Sequence, residues 1–287
     1  MSDEEELQTI FKRGSVTYFN SSVFFPIGVR KDATRLYAFV RVADDLVDSV
    51  PQKKEKFYEF VESFREARNG KYVKDVVVNE FVELERRKKL DRKWADDFLK
   101  SMEMDLGKSV YKTFDELWSY TWGSAEVIGL MMAKVMDLPS ESYPYATALG
   151  RAMQFLNFIR DVMEDVSMGR QYLPLREMHK FSLSSLCPAE VAEKPEEFRE
   201  FLREMVRKYL NMQREAEKGY KYLPLRYLVP IKTASDMYLW TAKKIYVQPE
   251  VVYRLKVKPS RERVYSRAIR NFAGYSLWRF LLPTLRT

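Results

Sequence analysis

Two segments of the chain combine aspartates at helical spacing with apolar neighbours, a pattern that can hold a cation. In the first segment, residues 37–48, a helix would gather the polar side chains on one face. These side chains are Tyr37, Arg41, Asp44, Asp45 and Asp48. Their neighbours are apolar, so the carboxylates would be costly to bury unless a cation meets them.

The second segment, residues 154–165, repeats this arrangement. Its polar face would hold Gln154, Asn157, Asp161 and Asp165, with Arg160 and Glu164 on another flank. Aspartates four residues apart on a helix present oxygens about 6 Å apart. Mg²⁺ prefers such oxygens and commonly links carboxylates to a diphosphate. A single such pair is typical of a solvated helix face, but two in apolar surroundings favour a metal–diphosphate site.

The chemistry expected of such a site is ionisation. A divalent ion neutralises a departing diphosphate and acts as a Lewis acid. The remaining allylic carbocation needs a dry cavity, and aromatic faces stabilise cations. Aromatic residues make up 14% of the chain, which supports this interpretation only mildly, because most aromatic side chains in helices are ordinary core.

Composition excludes several other kinds of site. The single cysteine, Cys187, allows no intramolecular disulfide, and with His179 as the single histidine a His/Cys zinc site is very improbable. A Ser–His–Asp triad would need His179, and no nucleophile-elbow pattern supports one. The net charge of +8 is spread along the chain, so it indicates no nucleic-acid partner.

The elements that would carry the two acidic faces are helical. Hydrophobic residues recur every three to four positions, and the 10 glycines and 12 prolines suit long helices with short connections. We predict helices over residues 32–50, 53–69, 74–88, 92–104, 114–136, 143–167, 195–221, 227–246 and 260–272. One short run, residues 251–257, has an extended pattern. The predicted fold is all-α, a single helical domain over residues 1–287.

The ends of the chain bear on localisation. The N-terminus is acidic and lacks the apolar core of a signal peptide, and no window is apolar enough for a membrane span. We therefore expect a cytoplasmic protein. Residues 272–285 are rich in aromatic residues and leucine and carry arginines, which leaves open a peripheral contact with the inner face of the membrane. Packing of this tail on its own domain is the alternative.

Six motifs, taken in order, resemble the squalene/phytoene synthase family, the head-to-head trans-isoprenyl diphosphate synthases. They are GSVTYF (14–19), FFP (24–26), YAFVRVADDLVD (37–48), YTWGSA (120–125), QFLNFIRDVMED (154–165) and GRQYLP (169–174). The resemblance covers nearly the whole chain, and its phytoene synthase-type members are the most similar. It implies an all-α isoprenoid synthase fold around a central apolar cavity.

The resemblance also implies roles for particular residues. The ligands of Mg²⁺ would be Asp44, Asp48, Asn157, Asp161 and Asp165, with Asp45 a weaker candidate. Tyr37 and Tyr120 would lie near the reacting carbons. Residues that would bind the substrate are Ser15, Thr17, Tyr18, Arg41, Gln154, Asn157, Arg160 and Arg254. Two positions depart from the family's pattern: Gly14, where some members carry His, and Trp122, whose size bears on the depth of the cavity.

The activity implied by the resemblance is the Mg²⁺-dependent joining of two geranylgeranyl diphosphates through a cyclopropylcarbinyl diphosphate to phytoene. Mn²⁺ is an alternative ion. The alternative within the family is a squalene or dehydrosqualene synthase that uses two farnesyl diphosphates, with or without NADPH. No dinucleotide-binding glycine motif is present, which is weak evidence against NADPH. A non-catalytic assembly subunit and a nucleic-acid-binding helical protein are the rivals from other classes, and intact aspartates disfavour the former.

Overall fold

A computed structural model of the protein describes residues 3–14 and 16–281, with the side chains of residues 16, 17 and 275–281 excepted. Within these ranges the chain is helical and holds no strand; it has one isolated parallel bridge, Val110–Gln171. The first helices are α1 (Asp3–Gly14), α2 (Val16–Ser22), α3 (Ile27–Asp48), α4 (Lys54–Arg68), α5 (Val76–Lys88), α6 (Arg92–Met104), α7 (Phe114–Thr121) and α8 (Val127–Val135). The remaining helices are α9 (Tyr143–Arg160), α10 (Val162–Ser167), α11 (Leu175–His179), α12 (Pro188–Glu193), α13 (Pro195–Glu217), α14 (Leu225–Val247), α15 (Val251–Arg254) and α16 (Arg261–Leu281).

The all-α prediction is confirmed. Helices α1, α2, α11 and α12 were not predicted, and three of the predicted segments differ in the structure. The predicted helix 114–136 is interrupted by a π-helical turn, Trp122–Glu126. The predicted helix 143–167 is divided at Asp161, whose backbone (φ −98°, ψ 15°) separates α9 from α10. The extended pattern at 251–257 was wrong for its first half, since Val251–Arg254 forms a helical turn.

The π-helical turn lies where α6 and the segment after α7 approach closely. A Cβ atom at Gly123 would lie 2.2 Å from the carbonyl oxygen of Asp97, so only glycine fits there. Trp122, beside it, is 39% exposed and donates its indole N–H to Asp97 Oδ2 at 2.7 Å. Its side chain thus faces outward, and the size of residue 122 does not limit the cavity described below.

Two apolar clusters pack the helices together. One joins α3 to α4, α5 and α6, and at its centre the ring of Phe39 stacks on Phe81 at 3.9 Å between ring centroids. The other joins α9 to α13 and α14 through fully buried rings such as Phe155 and Tyr209. Since α3 and α9 each bury one face in a cluster, their opposite faces are left to border a cavity between the clusters.

Of the helices that the structure describes, none is both long and apolar enough to cross a membrane.

Candidate functional site

The first row of aspartates, Asp44 and Asp48, lies on the face of α3 that points away from its buried side. Leu36, Phe39, Ala43 and Val47 are buried against neighbouring helices. Because these residues recur every three to four positions, Asp44 and Asp48 lie on the other side of the helix, where they border a cavity of about 1030 Å³.

The second row lies on the same cavity. Gln154 and Asn157 come from the last turns of α9, and Asp161 and Asp165 come from the bend and from α10. The bend keeps its backbone hydrogen bonds, since the N–H of Asp161 donates to Asn157 and the N–H of Asp165 donates to Asp161 at 2.9 Å. The helix therefore changes direction here without losing the register that aligns the row.

The two rows are close enough to influence each other's ionisation. Burial, and then the charge of Asp48, raise the pKa of Asp44 to about 7. Burial, and then the charges of Asp161 and Asp48, hold the pKa of Asp165 well above its usual range. The charge of Asp48 thus raises the pKa of one carboxyl in each row, so the two rows lie close together at the cavity. Their combined negative charge favours a bound cation.

Two arginines that the sequence identified accompany the rows. Arg41 donates to Asp44 Oδ2 at 2.9 Å and also pairs with Asp45, which is 55% exposed. Arg160 makes a bidentate pair with Asp161, at 2.8 and 2.5 Å. Both guanidinium groups border the cavity, where they are placed to contact anionic oxygens.

Three further basic residues, to which the sequence analysis assigned no role, also lie at the site. Arg170 lies in a quoted motif without an assigned role; it pairs with Asp48 and donates to the carbonyl of Val47 at 2.7 Å. Lys256 and Lys258 also border the cavity. Lys256 pairs with Glu164, and its Nζ is 3.5 Å from Asp161 Oδ1.

Arg254, the predicted C-terminal contact with diphosphate, is not brought to the cavity. Its side chain is exposed, and the residue is the last of the short helix α15. The extended segment that follows carries Lys256 and Lys258 inward instead. Arg254 was assigned from the family resemblance, and the basic residues of this segment that border the cavity lie two and four positions later.

The fit of the site to a divalent ion can be examined from its oxygen atoms. The Oδ1 atom of Asn157 is buried and has no hydrogen-bond partner among the described residues, while its Nδ2 donates to Gln154 at 3.1 Å. Carboxylate and amide oxygens are the donors Mg²⁺ prefers. The donor types of the site therefore fit Mg²⁺, while within the described part of the chain no three His, Cys, Asp or Glu side chains lie close enough together to form a ready-made metal site.

Tyrosines border the cavity near the rows. The ring of Tyr37 stacks on Phe11, with 4.3 Å between centroids. Tyr18 donates its hydroxyl to Met153 Sδ at 3.0 Å, and burial raises the pKa of Tyr18. Tyr120 donates its hydroxyl to Asp105 Oδ2 at 2.6 Å. Predicted Ser15 and the side chain of predicted Thr17 lie outside the described residues.

Gly14 lies at the end of α1, pressed against α3. A Cβ atom there would lie 2.6 Å from the hydroxyl oxygen of Tyr37 and 2.9 Å from Cδ of Arg41. The departure at this position therefore has a local reason: in this chain α1 approaches two side chains of the site too closely for anything but glycine to fit without a shift.

Away from the rows most of the residues that line the cavity are apolar. Its lining there includes Ile128, Met132, Ala133, Met136, Leu149 and Leu223. A cavity that is charged at one end and apolar along its length suits a molecule with an anionic head and a long hydrocarbon tail.

Comparison with known proteins agrees with this geometry. A model of the squalene/phytoene synthase family matches residues 11–264. Phytoene synthase of Daucus carota is 34% identical over 161 residues, which cover 53% of this chain and 38% of that protein. The 15-cis-phytoene synthase of Synechococcus elongatus is 27% identical over 237 residues, covering 76% of each. The chain thus spans well under half the length of the first curated relatives it matches.

Solved structures show the same fold. A dehydrosqualene synthase superposes with a TM-score of 0.86 at 21% identity and 96% coverage of both chains. A squalene synthase of Alicyclobacillus acidocaldarius superposes with a TM-score of 0.76 at 20% identity, over 86% of this chain and 94% of that one. The predicted isoprenoid synthase fold is confirmed.

Proposed function

The chain belongs to the squalene/phytoene synthase family, and on that premise we propose that it joins two geranylgeranyl diphosphates head-to-head to form phytoene. The observation that carries the proposal is that two aspartate rows and their basic partners share one end of a cavity whose remainder is apolar. The charged end suits the two diphosphates, and the apolar length suits two prenyl chains.

The proposed ligands of Mg²⁺ are Asp44, Asp48, Asn157, Asp161 and Asp165, and Mn²⁺ is an alternative ion. Two observations support them: the unsatisfied Oδ1 of Asn157 and the raised pKa values of Asp44 and Asp165. When bound, the ion would supply Lewis-acid stabilisation of the departing diphosphate. EDTA should abolish turnover and added Mg²⁺ should restore it; turnover that persists in EDTA would contradict the assignment.

The chain's own cations have a complementary role. Arg41, Arg160, Arg170 and Lys256 are held beside the rows by ion pairs, so they are placed to bind diphosphate oxygens and to orient the C1–O bond for cleavage. Their positive charge offsets the charge on the leaving group, and in a partly enclosed cavity such interactions are stronger than in bulk water.

The reaction that we propose has two ionisations. Loss of diphosphate from one molecule leaves an allylic cation whose C1 bonds to the double bond of the second molecule, and proton loss gives a cyclopropylcarbinyl diphosphate. Loss of the second diphosphate, rearrangement to a 1–1′ bond and loss of another proton give the hydrocarbon. The apolar lining keeps water from the cation.

Substrate length is the finer part of the proposal. The cavity of about 1030 Å³ is at the upper limit of pockets that enclose one drug-sized molecule, roughly 300–1,000 Å³. The support for C20 substrates comes from the phytoene synthase-type motifs and from the relatives named phytoene synthase. The alternative is condensation of two farnesyl diphosphates to squalene or dehydrosqualene.

One experiment decides between these products. The protein is incubated with C15 or C20 diphosphate and Mg²⁺, with and without NADPH, and the hydrocarbons are identified by mass spectrometry. We expect a C40 hydrocarbon from the C20 substrate without NADPH. A C30 product formed in preference would establish the alternative, and no hydrocarbon from either substrate would refute the proposed function.

We also propose that α16 rests on an anionic lipid surface, which would bring the site to its lipid substrates. Tyr265, Ile269 and Phe272 are 40%, 66% and 57% exposed and recur every three to four residues. Exposed Arg261 and Arg270 on the same helix complement anionic headgroups. Most of the predicted tail, 272–285, lies outside the side chains that the structure describes.

Sedimentation with vesicles tests this contact. Wild-type protein should pellet with vesicles that contain phosphatidylglycerol, and Ile269→Glu should reduce the bound fraction severalfold at unchanged turnover of detergent-dispersed substrate. Equal binding by the variant would overturn the proposal. Concentration-dependent dimerisation that Ile269→Glu abolishes, without vesicle binding, would instead show that a second copy covers this face.

A further inference from the structure

Asp105 is a buried carboxylate that belongs to neither aspartate row. It is 5% exposed, lies directly after α6, and borders the cavity. Its two carboxylate oxygens accept one phenolic hydroxyl each: Oδ2 from Tyr120 at 2.6 Å and Oδ1 from Tyr172 at 2.9 Å. Both tyrosines also border the cavity, so one carboxylate holds two hydroxyls at its edge.

The rings of these two tyrosines belong to an aromatic cluster. Tyr120 and Tyr172 lie 5.4 Å apart between centroids, and Tyr172 stacks on Phe158 at 4.4 Å with an interplanar angle of 16°. Tyr111 packs against both tyrosines, at 5.4 and 5.6 Å. Packing therefore confines the rings, and the hydrogen bonds to Asp105 fix where their hydroxyls lie.

The same residue is joined to the first aspartate row. Burial raises the pKa of Asp105 to about 6, and the guanidinium of Arg170, which pairs with Asp48, lies close enough to oppose that rise. The carbonyl of Asp105 accepts from Gln52 at 2.8 Å, and Gln52 also donates to the carbonyl of Val47 at 2.9 Å. Asp105 is thus held against the end of α3 that carries Asp48.

A purely structural interpretation of Asp105 would be a helix cap. The backbone N–H of Asp105 does close the last turn of α6, onto Met102 at 3.1 Å. A backbone bond of this kind needs no carboxylate, however, and both side-chain oxygens are directed to phenols that border the cavity. A buried charge placed this way costs free energy that the cap does not require.

We propose that Asp105 is a positioning residue that holds the hydroxyls of Tyr120 and Tyr172 in place. The carbocation then contacts the π electrons of the tyrosine rings. It does not contact a mobile phenolic oxygen or a water molecule bound to one. The inference rests on the proposed function. Aromatic rings stabilise cations without bonding to them, whereas an oxygen nucleophile would end the reaction early. Asp105 would therefore protect the yield of hydrocarbon.

The test is the conservative variant Asp105→Asn, with turnover and product distribution measured together. An amide of the same shape accepts from one hydroxyl only, so the second hydroxyl loses its acceptor. We expect kcat to fall roughly 10- to 100-fold with KM changed less than twofold. We also expect prenyl alcohol, formed by capture of the cation by water, to rise from a trace to a major product.

A double-mutant cycle with Tyr172→Phe separates positioning from general destabilisation. If Asp105 acts through the tyrosine hydroxyls, Asp105→Asn/Tyr172→Phe should lose no more than the larger of the two single losses. Losses that simply multiply would contradict the proposal. The cycle remains informative if Asp105→Ala fails to fold, since neither conservative variant removes a side chain from the core.

The matched control is Asp236→Asn. Asp236 is 6% exposed and accepts from Lys232, Arg267 and Asn271 at 2.8–3.0 Å, outside the cavity lining. This variant should lower the melting temperature and leave the ratio of hydrocarbon to alcohol unchanged. Wild-type product ratios in Asp105→Asn would overturn the inference alone, whereas a wild-type protein that forms no hydrocarbon would overturn both proposals.

Discussion

The variant Asp48→Asn separates the charge of Asp48 from its hydrogen bond. The amide oxygen can still accept from Arg170, which is 7% exposed and also donates to the carbonyl of Val47 at 2.7 Å. The fold should therefore be kept, with a melting temperature within a few degrees of wild type. What is lost is one negative charge that faces the cavity.

The magnitude follows from the position of that charge. Unit charges about 4 Å apart near a protein surface interact by about 4 kcal/mol, which corresponds to about 10³ in affinity. Because the Asp48 side chain is 36% exposed, solvent screens part of this interaction. We therefore expect the Mg²⁺ concentration for half-maximal turnover to rise about 10²-fold, with lower turnover at saturation.

Asp32→Asn is the control on the same helix. Asp32 is 5% exposed, accepts from Arg35 and Arg87, and lies outside the cavity lining. Its loss of charge should cost about 1–3 kcal/mol of unfolding free energy and lower the melting temperature by roughly 5 °C, at unchanged Mg²⁺ dependence. Asp48→Asn should thus change the Mg²⁺ dependence of turnover and not the melting temperature, and Asp32→Asn should change the melting temperature and not the Mg²⁺ dependence.

The assays are a Mg²⁺ titration of hydrocarbon formation and a thermal melt of each variant. Wild-type Mg²⁺ dependence in Asp48→Asn, or an equally strong shift in Asp32→Asn, would refute the role proposed for the charge of Asp48. A large loss of melting temperature in Asp48→Asn would show that the charge has a mainly structural role.

Three further predictions concern stability and positioning. Phe39→Ala removes a fully buried ring and should cost about 3–5 kcal/mol, seen as a fall of roughly 10 °C in melting temperature; a fall of only a few degrees would contradict it. Hydrogen bonds from Ser184 and Ser185 lower the pKa of Glu190 to about 2. The ionised Glu190 therefore stabilises the fold fully above its unfolded pKa, and this contribution is lost as pH falls from about 5 to 2. In denaturant titrations the wild type should exceed Glu190→Gln in unfolding free energy by about 1–2 kcal/mol at neutral pH, and the difference should vanish near pH 2. Gly14→Ala should shift Tyr37 and lower kcat/KM about tenfold with a nearly unchanged melting temperature, and wild-type kinetics would refute the close contact.

Much of the fold could be predicted from local patterns. The apolar period of α3 and of α9 determines which sides of those helices are buried, and the same period aligns Asp44 with Asp48 and Asp161 with Asp165. The first pair lies within one helix, and the second keeps a helical hydrogen bond across the bend at Asp161, so spacing along the chain sets spacing in space for both. The interruption at Trp122–Glu126 was not predictable this way, because it arises from the approach of α6 to Gly123.

Residues that come to the site from distant segments were the ones missed. Arg170 reaches Asp48 across 122 positions, and Asp105 accepts from Tyr172 across 67. Asp105 is a lone aspartate at a helix end, a pattern typical of solvated surfaces, and no spacing rule sets it apart. Lys256 reaches Asp161 from the segment that follows α15, a helical turn that the extended pattern at 251–257 did not predict.

The sequence by itself determined the helical class, the two polar faces and the family they resemble, because each depends on periodicity and motif order within single segments. Only the tertiary structure decided which basic residues accompany the aspartates, which carboxylate holds the tyrosine hydroxyls, and that the two rows share one cavity. Those outcomes depend on how helices pack side by side, and packing brings together residues whose separation along the chain carries no information about their distance in space.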